Sequence, residues 1–463
     1  MKPQHVSSIV LAGLSGGSGK SVVSVGLIAA LRQRGGVVPF KKGPDYIDAG
    51  WMSKAAGHPC YNLDPYLTDS TTLRQTFHTH LQGQTFAVIE GNRGLYDGVN
   101  ATGEYSTAEL ALQLDLPVLL VVNCSKTTRT VAAMVLGCTS FDPRVRFAGV
   151  ILNQIANTRH ESIIRQAIEQ STDLPVLGAM PRLKQDIFPM RHLGVTPHQE
   201  YQAADQAINH LAKLAEDHFA MEAVIAAMQP VTSQPAAALP GTPRATIGVL
   251  RDAAFQFYYE ENLEALQRAG ARLVMIDALN TPALPPDLDG LYIGGGFPET
   301  HARQLAKNSS FRNSVRQQID QGLPVYAECG GLIFLGRSII LDQEEFPLAG
   351  VFPVTFSLSA KPQAHGYSAF MVELANGFYP VGTRIKGHEF RYSVVQQWEG
   401  QTETLAVRME RGTGFVQGRD GLVKNNTLAL YTHVLASGTP GWASGFLAAA
   451  QRHAQQRGVV KPV

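Results

Sequence analysis

The stretch Ser8-Ile9-Val10-Leu11-Ala12-Gly13-Leu14-Ser15-Gly16-Gly17-Ser18-Gly19-Lys20-Ser21 decides the fold. Ser8 to Ala12 is an apolar run of buried-strand length, and Ser21 to Gln33 has the length and pattern of a helix. The glycines between them let successive backbone N–H groups turn inward around phosphate oxygens. The helix N-terminus adds a favourable dipole, while Lys20 can reach outer phosphates and Ser21 can ligate Mg²⁺. Gly16, Gly17, Ser18, Gly19, Lys20 and Ser21 are thus the candidate nucleotide-binding residues, with ATP and Mg²⁺ the expected ligands. The spacing is irregular against G-x-x-x-x-G-K-[ST], because Leu14 holds the glycine position and Gly13 comes one place early. The bland alternative is a flexible Gly/Ser turn, but Gly-Lys-Ser between strand and helix argues for phosphate.

Working outward, Val37 to Phe40, Phe86 to Ile89, Pro117 to Val122 and Phe147 to Leu152 read as further buried parallel strands. Thr107 to Leu114 and Thr127 to Leu136 read as helices between them, and Gln199 to Met228 as one longer helix closing the domain. Repeated strand–helix–strand order is the mark of an α/β parallel sheet. Gln229 to Arg244 holds four prolines and no apolar periodicity, so it reads as a linker between domains at 1–228 and 245–463. The second domain resumes α/β order with strands Thr246 to Leu250, Leu273 to Ile276, Gly290 to Ile293 and Pro324 to Ala327, and helix Tyr258 to Ala269.

The bulk numbers suit two or three globular domains: 463 residues, 44% hydrophobic and 17% charged. Lys plus Arg (39) against Asp plus Glu (38) leaves +1, no electrostatic case for nucleic acid or a membrane surface as partner. Apolar runs such as Leu116 to Val122 are far short of the ~20 residues of a spanning helix, and Met1 to Ser8 has no signal-peptide pattern. Cys60, Cys124, Cys138 and Cys329 are scattered without metal-ligand spacing, so a cytoplasmic protein with reduced thiols is expected.

Two acidic segments follow later strands: Lys41-Lys42-Gly43-Pro44-Asp45-Tyr46-Ile47-Asp48 and Glu90-Gly91-Asn92-Arg93-Gly94-Leu95-Tyr96-Asp97-Gly98. Ligands of open parallel sheets bind at the carboxyl ends of strands, so both should face the phosphates. Mg²⁺ takes carboxylates together with phosphate oxygens, which nominates Ser21, Asp45 and Glu90 as its holders. Tyr46, Asp48 and Asp97 are placed further out, beside the acceptor substrate. Asp next to Gly is also a common turn former, the competing account of Asp97. Glu90 resists that account, since a carboxylate ending an apolar strand is costly unless paired or metal-bound.

In the second domain the strand Pro324 to Ala327 runs into Glu328-Cys329-Gly330-Gly331 and the apolar helix start Leu332 to Leu335. This is a nucleophile elbow with sulfur in place of oxygen. Gly295, in Gly294-Gly295-Gly296, and Gly330 are the candidate oxyanion donors. His433 is the candidate base for Cys329, with His365 and His388 as rivals. An inert buried cysteine is the usual reading, and it suits Cys124 and Cys138 better.

The loop with five intervening residues resembles the dethiobiotin synthetase group of amide-forming enzymes. The whole chain resembles the cobyrinate a,c-diamide synthase family, through that loop, Lys42 to Asp48, Asn62-Leu63-Asp64-Pro65, Gly94-Leu95-Tyr96-Asp97-Gly98, Arg191-His192-Leu193-Gly194, Gly294 to Glu299, Ala327 to Gly331 and Gly387-His388-Glu389-Phe390. The resemblance implies a P-loop synthetase domain followed by a class I-like glutamine amidotransferase domain, with a Cys–His pair lacking the third, acidic member. Leu435, two past His433, stands where a full triad carries Glu. Arg391 stands where many relatives carry His, and Asn92-Arg93 differ from the small or apolar pair common before Gly94.

The implied substrates are ATP, glutamine and a tetrapyrrole polycarboxylate. In the mechanism the resemblance implies, Cys329 releases ammonia from glutamine, an acetate of the macrocycle takes the γ-phosphoryl group, and ammonia displaces phosphate. A protected path is expected, since free ammonia at neutral pH is mostly protonated. A close relative of the family amidates nickel-sirohydrochlorin, and Lys41, Lys42, Arg93 and Arg191 would suit either polyanion, with Tyr46 and Tyr96 against the ring edge. The other readings are a P-loop ATPase with a vestigial glutaminase domain and a corrinoid carrier; the intact Cys329 elbow opposes the first and the phosphate loop the second. A homodimer is left open.

Overall fold

The computed structural model describes residues 5–183, 190–191, 194–235 and 239–459. The chain divides into two units, residues 1–236 and 237–463.

In the first unit the Val/Ile/Leu runs become β1 (His5–Gly13), β2 (Val37–Lys42), β3 (Tyr61–Leu63), β4 (Phe86–Gly94), β5 (Val118–Asn123), β6 (Phe147–Ile155) and β7 (Val176–Pro181). They lie in the order β3-β2-β4-β1-β5-β6-β7, all parallel. Helices α1 (Lys20–Arg32), α2 (Ile47–Ala56), α3 (Ser70–His80), α4 (Thr107–Leu114), α5 (Thr130–Phe141) and α6 (Thr158–Ser171) connect them. Two separate apolar clusters draw on opposite faces of the same strands: Val10, Ile89 and Leu120 in one, Ile9, Val88 and Leu119 in the other. Burial on both faces is why these strands read as continuous apolar runs.

A short pair, β8 (Met190–Arg191) and β9 (Gly194–Val195), carries the described part of the Arg191–Gly194 motif; His192 and Leu193 lie outside the described residues. The stretch Gln199 to Met228 is two helices rather than one, α7 (Ala204–His218) and α8 (Met221–Ala226). Between them Phe219 is extended and bridges Gly178, and the Ala220 N–H donates to Leu177 O at 2.8 Å, so backbone bonding to β7 takes the chain out of the helix. The stretch expected as a linker begins on a strand: β10 (Gln229–Thr232) pairs antiparallel with β1, His5 opposite Thr232.

In the second unit β11 (Ala245–Leu250), β12 (Ala271–Ile276), β13 (Gly290–Ile293) and β14 (Val325–Glu328) are parallel, with α9 (Glu260–Ala269), α10 (Ala302–Lys307) and α11 (Ser309–Asp320) between them. After α12 (Gly330–Leu335) come eight strands that the sequence reading left unassigned. They form two antiparallel-rich sheets: β15 (Ser338–Leu341), β16 (Glu344–Pro347), β17 (Val354–Leu358) and β20 (Ser393–Trp398) in one; β18 (Ala364–Val372), β19 (Arg384–Arg391), β21 (Val407–Arg411) and β22 (Arg419–Asp420) in the other. The alternation of such strands is visible in β18, where Ser368, Phe370 and Val372 are buried on one face. Then β23 (Leu422–Lys424) and β24 (Thr427–Leu430) return to the main sheet, ordered β12-β11-β13-β14-β24-β23, and α13 (Trp442–Val459) ends it.

Candidate functional site

Each unit carries one candidate site at the carboxyl ends of its parallel strands. In the first, α1 starts at Lys20 after Gly19, which holds φ 82, and Gly17 holds φ 74; both are left-handed conformations that glycine adopts without strain. A Cβ on Gly19 would lie 2.0 Å from Asn153 Nδ2, the group that donates to Ser18 O at 2.9 Å. A Cβ on Gly13 would lie 2.9 Å from that of Ser18, so the early glycine is the one on which the loop folds back. At Gly16 and Gly17 a Cβ would meet nothing within 4 Å, leaving the loop's crest open. The Lys20 ammonium bonds to Ser15 O (3.2 Å) and Arg93 O (2.7 Å), and burial lowers its pKa while Glu90 opposes that shift.

Strand register sets the acids. Glu90 of β4 lies in the ladder between Leu11 of β1 and Lys41 of β2. Its carboxylate is buried and takes bonds from Lys41 Nζ (2.5 Å) and Ser24 Oγ, with Ser21 Oγ at 3.4 Å. Lys41 also donates to Asp48 Oδ2 at 2.8 Å. Lys41, expected to face substrate carboxylates, therefore serves as the buried counter-ion of Glu90 and Asp48. Lys42 is buried as well, and burial lowers its pKa.

Burial raises the pKa of Glu90 against the pull of Lys41. Burial works against the charge on Asp48 too, yet Lys41 holds that carboxyl below its ordinary range. Asp45 accepts the Asp48 N–H at 2.9 Å, and burial with the Asp48 charge raises it to about 6. The cluster thus contains more acid than Lys41 neutralises, which suits a site that gains a cation. Ser21 and Glu90 meet, while Asp45 engages Asp48 one step away. Among the described residues no group of three His, Cys, Asp or Glu side chains is arranged to hold a metal ion, so a cation here would rely on two carboxylates, Ser21 and substrate oxygens.

The outer residues divide. Tyr46 and Asp48 flank the start of α2 beside Lys41. Asp97 is exposed, and its carboxylate accepts the Gly94 N–H at 2.8 Å, which closes its own turn. Tyr96, expected near the ring edge, is fastened to α5: its hydroxyl donates to Cys138 O at 2.6 Å and its ring packs 4.8 Å from Phe141. Arg93 is exposed at φ 50 and offers its carbonyl to Lys20.

In the second unit Cys329 stands between β14 and α12 at φ 46, ψ −96, a strained elbow for a residue with a side chain. Its N–H donates to Leu430 O at 2.7 Å, which pins the elbow to β24. A Cβ on Gly330 would lie 2.9 Å from Gly296 N, and one on Gly331 2.4 Å from Ile293 O, so the Gly294–Gly296 loop lies directly against the elbow. A Cβ on Gly295 would come within 2.4 Å of His433 Cε1. Cys329, His433, Gly295 and Gly330 are therefore neighbours.

His433 follows β24, joined to His388 of β19 by backbone bonds of 3.1 and 2.9 Å and by ring stacking at 4.9 Å. Burial pulls the His433 pKa down, but contacts with Cys329 and Glu328 outweigh it and raise it to about 10. The rivals differ. His388 is buried, lies 3.1 Å from the Tyr259 hydroxyl, and is pushed well below the usual range by burial and by His433. His365 is exposed and packs on Phe390 at 4.6 Å. Arg391 is buried, donates to Ser393 O and Gly414 O at 2.6 Å each, and lies 3.9 Å over the Tyr431 ring. Glu328, which the sequence reading passed over, is buried with Oε2 3.6 Å from His433 Nδ1. The signal for it was the same as for Glu90: a carboxylate closing an apolar strand.

Residues 9–193 match the CobQ/CobB/MinD/ParA nucleotide binding domain, and residues 246–440 match the CobB/CobQ-like glutamine amidotransferase domain. The chain is 39% identical to a cobyrinate a,c-diamide synthase of Magnetococcus marinus, over 95% of this chain and 96% of the relative. It is 38% identical to one from Archaeoglobus fulgidus, over 93% and 95%. Among solved structures, a glutamine amidotransferase aligns with 44% of this chain and 98% of its own, at 23% identity and a TM-score of 0.33. Among the described residues no helix is long and apolar enough to cross a membrane.

Proposed function

This chain belongs to the cobyrinate a,c-diamide synthase family, and from that premise we propose that it uses ATP and glutamine to amidate the a and c acetate side chains of cobyrinate. The observation that carries the proposal is the presence, in one chain, of an open phosphate loop ending in Lys20 and a strained Cys329 beside His433.

In the C-terminal unit His433 holds the proton taken from Cys329, and the thiolate attacks the glutamine side-chain carbonyl. N–H groups of the Gly295 and Gly330 region hold the resulting oxyanion. His433 returns the proton to the departing ammonia, and water then clears the thioester to glutamate. In the N-terminal unit the amides of Gly16 to Gly19 cradle the phosphates of ATP. Lys20 leaves its two carbonyl partners to meet the transferring phosphoryl group. The substrate acetate becomes an acyl phosphate, which ammonia converts to the amide with loss of phosphate. When bound, Mg²⁺ neutralises charge on the phosphoryl oxygens, and Ser21, Glu90 and Asp45 are the residues of this chain that would hold it. Tyr46, Asp48 and Asp97 are assigned to the acceptor's side of that centre. The bonds Lys41 makes to Glu90 and Asp48 set its positive charge beside both acids.

The test is amidation of cobyrinate by purified protein with ATP, Mg²⁺ and either glutamine or ammonium. Cys329→Ser should abolish the glutamine-driven reaction and leave the ammonium-driven one within about threefold of the parent, because only the ammonia source is lost. Loss of both in a folded variant would refute the division of labour between the units. A parent enzyme with much higher kcat/KM for nickel-sirohydrochlorin would reassign the acceptor.

A further inference from the structure

Leu435 leaves the Cys–His pair without an acid from the usual place in the chain, yet the structure sets another carboxylate against the same histidine. We infer that Glu328 is a positioning residue for His433, fixing the imidazole and balancing the positive charge it acquires when it accepts the Cys329 proton. The inference rests on the reading of this unit as a glutaminase.

The carboxylate is held on both oxygens. Oε2 accepts the Tyr292 hydroxyl at 3.1 Å and faces His433 Nδ1 at 3.6 Å, while Oε1 accepts the Val434 N–H at 3.1 Å. Asn262 braces the same arrangement. Its amide donates to the Tyr292 hydroxyl (3.2 Å) and to Val434 O (2.7 Å), and its oxygen accepts the Ala436 N–H at 2.7 Å. The chain just after His433 is thereby tied to the group that faces its ring. Glu328 and His433 are both almost wholly buried, at 1% and 2% exposure, where an unpaired charge is costly and a fixed opposite charge is worth most. With Nδ1 turned to Glu328, Nε2 is the nitrogen left for Cys329. The thiol proton moves to Nε2, the imidazolium forms beside a carboxylate already in place, and the proton later leaves with ammonia. Contacts of this kind are often loose before substrate binds, so 3.6 Å suits a partner that tightens on protonation. Cys329 and the stacked His388 also face His433, and burial together with His433 holds His388 well below the usual imidazole range.

The experiment measures glutamine hydrolysis by full-length Glu328→Gln, with Cys329→Ser as blank. Alongside it runs the pH profile of Cys329 alkylation by iodoacetamide, read by mass spectrometry of its peptide. Glu328→Gln should lower kcat by on the order of 10²-fold or more with the KM for glutamine within about threefold, and move the alkylation midpoint up by about one pH unit. Tyr292→Phe keeps the carboxylate but removes one of its bonds, and should lower kcat about fivefold. A folded Glu328→Gln with kcat within about threefold of the parent and an unmoved alkylation profile overturns the inference. If Glu328→Gln does not fold, unchanged kcat and alkylation in Tyr292→Phe overturn it instead. A parent enzyme that hydrolyses no glutamine defeats the glutaminase reading, and the alkylation profiles then decide the tie between Glu328 and the Cys–His pair on their own.

Discussion

Replacing Lys41 by Met tests how the first site is held together. Lys41 is 2% exposed, Glu90 0% and the Asp48 side chain 20%, so the substitution leaves one carboxylate wholly buried and a second largely buried without their cation. Breaking a buried pair by removing one partner costs about 3–5 kcal/mol. Met fills the space of the lysine stem, and Asp48 retains some water, so the expected loss at pH 7 is about 4 kcal/mol. For a unit of this size that corresponds to a fall in Tm of about 8–16 °C.

The pH dependence has a defined sign. Without Lys41 both acids titrate higher in the folded state than in the unfolded chain, so the folded state binds more protons and stability falls as pH rises. The deficit is fully present above the raised folded values and fades as pH falls through them. Urea unfolding of the full chain, read by hydrogen exchange in peptides from β2 and β4, measures both quantities. A deficit below about 1 kcal/mol at pH 7, or one that does not change with pH, would refute the reasoning. Adding Glu90→Gln to Lys41→Met should recover a large part of the loss, since the wholly buried charge is then gone.

Lys20→Ala should lower amidation by about 10²-fold or more with glutamine and with ammonium alike, since both depend on the phosphoryl step; a glutamine-specific loss would contradict the assignment. Gly295→Ala places a methyl group where His433 Cε1 now lies, within 2.4 Å, so glutaminase kcat should fall by about 10²-fold while ammonium-supported amidation persists. Steady-state kinetics with the two nitrogen donors separates these outcomes, and a fully active Gly295→Ala would show that the histidine has room to move.

The sequence by itself determined the parts whose meaning is local. The order strand, glycine loop, Gly19-Lys20-Ser21 and helix specifies a phosphate loop because neighbouring residues supply every group it needs. The same is true of strand, Cys329 and paired glycines as an elbow, and of the unbroken apolar runs as doubly covered parallel strands. The tertiary structure decided what depends on residues far apart in the chain. Lys41 reads as a basic group for a polyanion until the β2–β4 register sets it beside Glu90. His433, His388 and His365 compete in the sequence, and the fold sorts them by whether they lie against the elbow, behind it or in solvent. Glu328 becomes the histidine's partner because β14 and β24 are adjacent in the sheet, with Glu328 opposite Leu430. Spacing along the chain encodes loops and periodicity, but it carries no record of which strand lies next to which. The charge pairs of both sites are set by strand neighbours, and so they emerge only when the sheets close.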